Sequence, residues 1–377
     1  MSQQDQLRDE ATVIAARVKP LAASGQAGRV NRHLVRALAD EGLLPRLFPE
    51  AAAGTRKDRL SAVDLCSIRE ALALESTSVE NALAIQALGA YPIVLAGTSE
   101  QVGRHVPAVA RGESVAGFAL TEPDAGSDAG ALALQAERDG SGYRLSGIKT
   151  FISNAPDADV YTVFARTTAG AGARGVTAFI VDGHSRGLTG TVLQLLSDHP
   201  IGRLEFDGVQ VSNDGVLGDV DQGFRLAMRT LDLFRPSVGA CAIGMAQAAL
   251  DAAVGHAQTR QAFGRAIKDF QAVSHQLAEA ATRLEAARAL VYAAAEAYDR
   301  GEPRVARRSA MAKLFATETA QQVIDAAIQV HGAVALERGH LLEHLYREVR
   351  APRIYEGTSE IQREIIARDL FRSATTN

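Results

Sequence analysis

The chain has 377 residues, which at roughly 150 residues per domain indicates two or three domains. Apolar residues make up 47% and charged residues 22%, as in ordinary globular proteins, so a disordered, collagen-like or coiled-coil architecture is excluded. The 40 Lys and Arg residues against 44 Asp and Glu give a formal net charge of −4, which leaves no positive field to hold nucleic acid.

The two cysteines and the polar first residues indicate in which cellular compartment the protein is expected. Cys66 and Cys241 lie in apolar stretches without the spacing of metal ligands, which favours a reducing compartment over a disulfide framework. The first residues carry both signs of charge, unlike a targeting segment. The most apolar stretch, residues 238–254, is interrupted by Gln247 and Asp251, so we expect no membrane span and a cytoplasmic protein.

The N-terminal third is predicted to be helical. Apolar residues recur at helical spacing through residues 31–40, 61–74 and 99–110, and the first of these runs stops at Gly42. The sequence therefore predicts an N-terminal helical domain, residues 1–113.

Short segments, several of them alternating or β-branched, follow from residue 114 and are separated by turn-forming residues. Predicted strands cover residues 114–120, 131–136, 143–145, 160–165 and 176–181. Asp207-Gly208 stands between two further apolar runs, 204–206 and 209–211, and is typical of a hairpin turn. This part is predicted to be a small middle β-domain, residues 114–222.

Helical spacing returns after Gly223 and persists almost to the end of the chain. The long, Ala-rich helices predicted there cover residues 224–259, 271–298 and 306–331. They are long enough to pack as a bundle. A last helix, residues 359–371, is predicted to begin in a capping box formed by Ser359 and Gln362.

The order of helices, strands and longer helices lacks the β–α alternation of a dinucleotide-binding fold. We therefore predict an α+β multidomain protein with an N-terminal helical domain, a small middle β-domain and a C-terminal four-helix-bundle domain at residues 223–377.

Two generic enzyme motifs lack the structure that their chemistry needs. Gly170–Gly175 spells Gly-x-Gly-x-x-Gly, a motif that must open a helix, but the strand-like residues 176–181 follow it. Gly183–Gly187 matches the nucleophile elbow of α/β-hydrolases, but the turn-like residues 188–191 follow where a helix is required. We interpret both segments as loops.

His340-Leu-Leu-Glu-His344 matches a zinc pattern in which both histidines share one helix face and Glu343 serves as base. No third protein ligand stands out in the sequence, and the surrounding residues are mostly charged. An exposed charged helix is the favoured interpretation, with a zinc hydrolase as the alternative.

Three further segments carry the informative residues. They are Phe118-Ala-Leu-Thr-Glu-Pro-Asp-Ala-Gly-Ser-Asp128 with Gly147-Ile-Lys-Thr-Phe-Ile-Ser-Asn154, Arg260-Gln-Ala-Phe-Gly264 with Phe270-Gln271, and Arg350-Ala-Pro-Arg-Ile-Tyr-Glu-Gly-Thr-Ser-Glu-Ile-Gln362. In this order and spacing they resemble the acyl-CoA dehydrogenase family. The resemblance covers nearly the whole chain from about Leu60 onward, and the helix–strand–helix order matches that family's fold.

The resemblance implies a site for FAD and no metal ion. The β-domain residues that it assigns to FAD are Phe118, Leu120, Thr121, Ser127, Phe151 and Ser153. The C-terminal residues that it assigns to FAD are Arg260, Phe263, Phe270, Gln271, Gln329, Gly332, Thr358 and Glu360. Phe151 and Ser153 stand where many members have Trp and Thr, which keeps an aromatic face and a hydroxyl. Ala333 and Ala335 replace glycines of the family's adenosine-side stretch.

The same resemblance makes Glu356 the base that removes the proton α to a thioester carbonyl, while the β hydrogen leaves as hydride for the flavin. Burial raises the pKa of such a carboxyl and the helix start at Ser359 lowers it; the sequence leaves this balance open. Gly357 gives the backbone freedom to bring an N–H to the thioester oxygen. Some members carry the base directly before the arginine that is Arg235 here, but this chain has Phe234 at that position.

The implied substrate is an acyl-CoA. Its implied contacts are Ser127, Asp232, Arg235, Glu356 and Gly357. Asp232 would accept from a pantetheine amide and Arg235 would steady the Glu356 loop, with an ordinary solvated ion pair between the two as the alternative. In the family the arginine at Arg260 reaches the FAD of a neighbouring subunit, which implies an obligate oligomer, a homotetramer built as a dimer of dimers.

The expected function is FAD-dependent dehydrogenation of an acyl-CoA to the trans-2-enoyl-CoA, with electrons passed to an electron-transfer flavoprotein or a similar acceptor. Two alternatives stay open. One is an enzyme that uses oxygen, as acyl-CoA oxidases do, and the other is a flavin-binding homologue without catalysis. The sequence does not specify the acyl group.

Overall fold

The computed structural model describes residues 3–48 and 60–374, and the chain forms two compact units. One unit takes in the described residues up to Ala16, Ser61–Glu80 and the described residues from Asp232 onward; the other takes in the described residues between Arg17 and Leu60 and Asn81–Leu231. The observed order of helices, strands and longer helices confirms the predicted fold class. The predicted division at residues 113/114 and 222/223 stays a prediction.

Helices precede the strands, as predicted. They are α1 (Gln3–Ala22), α2 (Arg32–Asp40), α3 (Leu43–Arg46), α4 (Ala62–Glu75), α5 (Thr77–Ala96) and α6 (Ser99–Ala110). Side chains cap their ends: Asn31 Oδ1 accepts from Leu34 N at 3.1 Å, and Thr98 and Gln101 form a reciprocal capping box before α6. The sequence did not resolve α5 as a separate helix, because it is apolar on nearly all sides and shows no amphipathic period.

The strands form one mixed sheet in the second unit. They are β1 (Ala116–Ala119), β2 (Gln135–Asp139), β3 (Gly142–Ser153), β4 (Val160–Arg166), β5 (Val176–Asp182), β6 (Leu188–Val192), β7 (Ile201–Ser212) and β8 (Val216–Leu217). Their order is β6-β7-β3-β2-β4-β5-β8, and β1 pairs in parallel with β4. One face packs around a core that includes Leu145, Tyr161 and Phe179.

The predicted hairpin turn at Asp207-Gly208 is wrong. Both residues lie inside the single strand β7, which pairs with β3 along its length. The pairing shifts there, because Leu145 lies opposite Val209 and Gly147 opposite Phe206, so Asp207 and Gly208 together face one residue of β3. Gly208 has φ +64°. The dipeptide therefore makes a β-bulge, a feature that also favours a glycine with positive φ.

Gly170–Gly175 and Gly183–Gly187 both lie in loops, as expected, and only the turn expected after the second is wrong. Gly170–Gly175 lies between β4 and β5 and ends in a short 3₁₀ turn, so the loop interpretation is confirmed. The residues after Gly183–Gly187 are not a turn as expected but strand β6, which pairs with β7. A nucleophile elbow needs a helix at that point, so that motif still lacks its structural context.

The first unit is helical. Its long helices are α7 (Gly223–Thr259, from Asp232 onward), α8 (Gln271–Asp299), α9 (Val305–His331), α10 (Leu341–Val349) and α11 (Ser359–Ala374). A two-residue hairpin, β9 (Gln261–Ala262) and β10 (Arg265–Ala266), links α7 to α8. Helix α9 packs against α8, α10 and α11, and α4 packs against α8.

Two helices, α5 and α7, are long and apolar enough to cross a bilayer by length and composition alone. Of their most apolar windows, 67% and 72% of the residues are buried inside the protein, as in the core helices of globular domains. Their apolar character is therefore accounted for by packing.

The close approach of α7 to α4 rests on one glycine. A Cβ atom at Gly244 would lie 2.2 Å from Glu70 O, whereas a Cβ at Gly255 on the same helix would meet nothing within 4 Å. Gly244→Ala should therefore lower the free energy of unfolding by about 1–3 kcal/mol through overpacking. Gly255→Ala should raise it by about 1 kcal/mol through helix propensity. Denaturant unfolding of both variants checks this, and equal effects of the two would contradict it.

Candidate active site

Glu356 lies in the short segment between the 3₁₀ turn Ala351–Arg353 and α11. Its φ is +53°, and that of Gly357 is +94°. The left-handed region is unfavourable for a residue with a Cβ, so the surroundings must hold Glu356 in this conformation. For Gly357, which has no Cβ, the same region is accessible.

The carbonyl oxygens of three consecutive residues accept hydrogen bonds from buried side chains. Lys313 Nζ donates to Tyr355 O at 2.8 Å and to Gly357 O at 2.5 Å. Arg235 Nε donates to Glu356 O at 3.3 Å. Gln362 Nε2 donates to the carbonyls of Glu356 and Gly357 at 3.2 and 2.9 Å. These bonds fix the backbone on both sides of the Glu356 side chain.

The carboxyl of Glu356 is buried and leaves one atom without a partner. Within the described part of the chain, its Oε2 meets no hydrogen-bond donor. Burial raises the pKa of the Glu356 carboxyl above its usual value, because the charged form loses its hydration. The nearby positive charges of Arg69, Lys313 and Arg235 oppose this rise, in that order of strength.

Arg69 and Glu80 form a buried ion pair that sequence reasoning missed. Arg69 Nε donates to Glu80 Oε1 at 2.5 Å, and Arg69 Nη1 donates to Ser237 Oγ at 2.8 Å. Both charged side chains are about 95% buried. Because Arg69 also acts on the Glu356 carboxyl, the pair provides part of its electrostatic surroundings. The adjacent charges Arg69 and Glu70, which interrupt the apolar residues in the middle of α4, were the available indication.

Lys313 was missed as well. It stands on α9 with no exposed surface, and burial lowers the pKa of its ammonium to about 8, while the Glu356 carboxylate opposes that shift. A lysine among the buried alanines of an amphipathic helix, in a chain with five lysines, could have singled it out.

The predicted pair Asp232 and Arg235 forms an ion pair, with Arg235 Nη1 donating to Asp232 Oδ1 at 3.0 Å. The Arg235 side chain is only 4% exposed, so the solvated-pair interpretation does not fit. Burial raises the pKa of Asp232, and Arg235 opposes the rise. Arg235 also contacts the Glu356 carbonyl as expected.

The predicted capping box at Ser359 and Gln362 is wrong. The residue that caps α11 is Thr358, whose Oγ1 accepts from Ile361 N at 3.3 Å. Ser359 Oγ instead donates to Glu318 Oε1 at 2.6 Å, and Gln362 turns back to the carbonyls before the helix. Glu360 points outward and is mostly exposed. The box would need Gln362 Oε1 to accept from the backbone N–H of Ser359, but this oxygen has no hydrogen-bond partner among the described residues.

The hairpin after α7 carries several predicted FAD residues. Phe263 and Gly264 form its turn with φ of +50° and +78°, and the Phe263 side chain is 96% exposed. Its ring lies 6.1 Å from that of Phe270, and the Arg265 guanidinium covers Phe270 at 4.0 Å. Arg260 and Gln271 flank this group and are exposed.

Gln329 and Gly332 lie at the end of α9 and are exposed. Gly332 has φ +70° and ψ −151°, a conformation open essentially to glycine alone, so glycine is required at this position. The neighbouring Ala333 and Ala335 sit in a 3₁₀ turn, and Ala335 is fully buried.

The histidines of the zinc pattern have other partners. His340 precedes α10 and its Nδ1 accepts from Leu342 N at 3.2 Å, while His344 Nε2 lies 2.8 Å from Thr77 Oγ1. Glu343 pairs with Arg347. Residues 3–48 and 60–374 contain no group of three metal-ligating side chains arranged to hold an ion, which leaves the zinc alternative without support.

In the second unit, a buried ion pair shapes the loop that carries Leu120, Thr121 and Ser127. Lys149 Nζ donates to Leu120 O at 2.9 Å and to Glu122 Oε1 at 2.7 Å. Thr150 N donates to Thr121 O at 3.0 Å and ties the loop to β3. Ser127 is exposed. Hydrogen bonds therefore fix the start of the loop, and its tip at Ser127 is exposed to solvent.

Phe118, Phe151 and Ser153 lie on the sheet. Phe118 is on β1 with its ring 5.0 Å from that of Phe164. Near the end of β3 the pairing with β7 shifts between Lys149 and Ile152, and Phe151 has φ +55° within this bulge. The bulge turns the Phe151 ring outward, so that 58% of it is exposed.

Replacing Glu356 by Gln should change the pH dependence of stability. A carboxyl with a raised pKa takes up protons on folding, so stability falls as the pH rises from its ordinary value of 4.5. Glutamine does not titrate. The free energy of unfolding of E356Q should therefore exceed that of the wild type near pH 7, with the gap narrowing toward about pH 5. A gap that widens on acidification in denaturant unfolding would contradict the expectation.

Comparison with known proteins shows the family of the chain. The acyl-CoA dehydrogenase N-terminal, middle and C-terminal domains match residues 1–113, 117–209 and 221–371. The chain is 36% identical to cyclohexane-1-carbonyl-CoA dehydrogenase of Geobacter metallireducens over 95% of this chain and 94% of that one. It is 34% identical to CarC, a subunit of the caffeyl-CoA reductase-Etf complex of Acetobacterium woodii, over 92% of both. Butyryl-CoA dehydrogenase of Megasphaera elsdenii superposes with a TM-score of 0.91 at 31% identity, over 98% of this chain and 99% of that one. The chain belongs to the acyl-CoA dehydrogenase family and is an oxidoreductase.

Proposed function

We propose that the protein removes the α proton of an acyl-CoA thioester with Glu356, in an FAD-dependent dehydrogenation that gives the trans-2-enoyl-CoA. The observation that carries this proposal is the buried, unpaired Oε2 of Glu356. A carboxylate in this state is a stronger base than one in water, because ionisation is disfavoured by burial.

The chain's residues suit FAD. Phe151 offers an exposed aromatic face, and the partly exposed Ser153 two residues later offers a hydroxyl, a combination that fits a flat ring with polar edges. We propose that Phe118, Leu120, Thr121 and Ser127 line the same ring site. When bound, FAD supplies the acceptor for the hydride that leaves the β carbon of the substrate.

The remaining proposed FAD residues lie in the first unit. They are Arg260, Phe263, Phe270, Gln271, Gln329, Gly332, Thr358 and Glu360. An arginine fork suits pyrophosphate oxygens, and the exposed Phe263 is the kind of side chain that a neighbouring subunit covers. We propose that this set serves the FAD of a neighbouring subunit in a homotetramer, a dimer of dimers.

For the substrate we propose contacts with Ser127, Asp232, Arg235 and Gly357. Asp232 has one carboxyl oxygen engaged with Arg235, which leaves the other for an amide donor of the pantetheine arm. Gly357, at φ +94°, is the proposed source of the N–H that meets the thioester oxygen. The acyl group itself is left open.

The proposed electron acceptor is an electron-transfer flavoprotein, which is supported by the relative CarC from a reductase-Etf complex. The same relative is a reductase. By microscopic reversibility a protonated Glu356 can return a proton to the α carbon, so the proposed site serves either direction. A cytoplasmic location stays a prediction.

The test is anaerobic reduction of the bound flavin by a panel of acyl-CoA esters, followed at its absorbance maximum. Glu356→Gln should lower the rate of reduction by about 10²–10⁴-fold, the usual contribution of a positioned general base. Glu364→Gln, an exposed glutamate on α11 paired with Arg368, is the matched control and should keep the wild-type rate. Reduction at the wild-type rate in E356Q would remove the proposed mechanism. Rapid reoxidation by air in the wild type would favour the oxidase instead.

The proposed subunit-bridging role of Arg260 has its own test. Arg260→Ala should raise the Kd for FAD by about 10-fold or more, because a charge-assisted hydrogen bond is lost. Arg300→Ala, an exposed arginine at the end of α8, is the control. The FAD content after gel filtration and the sedimentation mass are the measurements. A monomer that retains FAD equally in both variants would contradict this role.

A further inference from the structure

Lys313 is a buried cation that the proposed chemistry does not use directly. We propose that it is a positioning residue: by donating to the carbonyl oxygens on both sides of Glu356, it holds this residue in the left-handed conformation that presents its carboxyl. The inference rests on the proposed role of Glu356 as the base.

The first support is geometric. Lys313 Nζ reaches the carbonyls of Tyr355 and Gly357 at 2.8 and 2.5 Å, so a single ammonium bridges the residues before and after Glu356. Only a group with several donors can do this. Without this bridge only Arg235 and Gln362 hold the loop. Because φ at Glu356 is +53°, the backbone would then relax more readily toward the right-handed region, which moves the carboxyl.

The second support is the cost of burying Lys313. Its side chain has no exposed surface, and a buried ammonium is retained only where it has partners. Those partners are backbone carbonyls of the Glu356 loop, and no carboxylate lies within hydrogen-bond distance of Nζ among the hydrogen bonds described. The Lys313 ammonium therefore holds the backbone of this loop and does not form a salt bridge with any residue that the structure describes.

Other charges also face the Glu356 carboxyl or Lys313. By element they are Arg69 on α4, Glu80 on α5, Asp232 and Arg235 on α7, Glu318 on α9 and Glu360 on α11. The positive members lower the pKa of Glu356 and Glu80 raises it. Loss of the Lys313 charge removes one of the three positive charges that lower the pKa of Glu356. The pKa of Glu356 should therefore rise, and the acid limb of the pH–rate profile should move to higher pH.

The experiment compares the wild-type holoenzyme with Lys313→Met, which keeps the length of the side chain and removes the donors and charge. Thr317→Val is the matched control, since Thr317 is buried one turn along α9 and, within the described residues, its hydroxyl donates to the Lys313 and Leu314 carbonyls of the same helix. Two readouts are taken. One is the rate of anaerobic flavin reduction by acyl-CoA as a function of pH. The other is amide hydrogen exchange of the peptide covering residues 350–362, without substrate.

Lys313→Met should lower the reduction rate by about 10–10²-fold, as misplacement of a reacting group does. The apparent Kd of acyl-CoA should change by less than about 3-fold. The acid limb should move to higher pH, and the 350–362 peptide should exchange faster than in the wild type. Thr317→Val should leave the limb and the exchange unchanged.

The proposal would be overturned if Lys313→Met lowers the reduction rate but neither moves the acid limb of the pH–rate profile nor speeds exchange of the 350–362 peptide. It would also be overturned if Lys313→Met matches the wild type in rate, acid limb and exchange. If Lys313→Met does not fold, Lys313→Gln, which keeps one donor group, takes its place. Failure of both to fold while Thr317→Val folds would assign Lys313 a purely structural role and overturn the proposal. If no acyl-CoA reduces the wild-type flavin, the proposed function fails, and the exchange measurement still decides whether Lys313 holds the loop.

Discussion

A carboxyl group buried among positive charges, on a backbone in an unfavourable conformation, is the constraint on which the site depends. Burial disfavours the ionised form of the Glu356 carboxyl, and the surrounding cations offset part of this effect by stabilising the carboxylate. The same cations, Arg235 and Lys313, bond to the carbonyls of the loop. One set of side chains thus fixes the position of the carboxyl and tunes its basicity, which couples geometry to proton affinity.

Much of the fold was predictable from sequence, because helices and strands leave different periods in the apolar residues. The runs at 31–40 and 99–110 became α2 and α6 with their caps. Helix α5 left no period because it is apolar on nearly all sides. Asp207-Gly208 was misassigned for a different reason: a hairpin turn and a β-bulge place the same demand for positive φ on glycine, and only strand pairing distinguishes them.

The site residues also fall into two groups, those that could be predicted from the sequence and those that could not. Glu356 and Gly357 were predictable because a local motif carries them, and the structure adds the backbone angles that the motif requires. Arg69 and Lys313 were not, since their effect on Glu356 arises from tertiary packing of segments about 290 and 40 positions away in sequence. The helix cap was misplaced because Thr358 and Ser359 are both favourable N-cap residues; Thr358 caps the helix, and the Ser359 hydroxyl donates to Glu318.

The most direct measurement of the central claim is exchange of the substrate's α hydrogen with solvent. Holoenzyme is incubated anaerobically with an acyl-CoA in D₂O, and the recovered thioester is analysed by mass spectrometry. The account predicts deuterium at the α carbon with the wild type and none above the uncatalysed background with Glu356→Gln. Equal incorporation by the two proteins would contradict the claim that this carboxyl moves the proton.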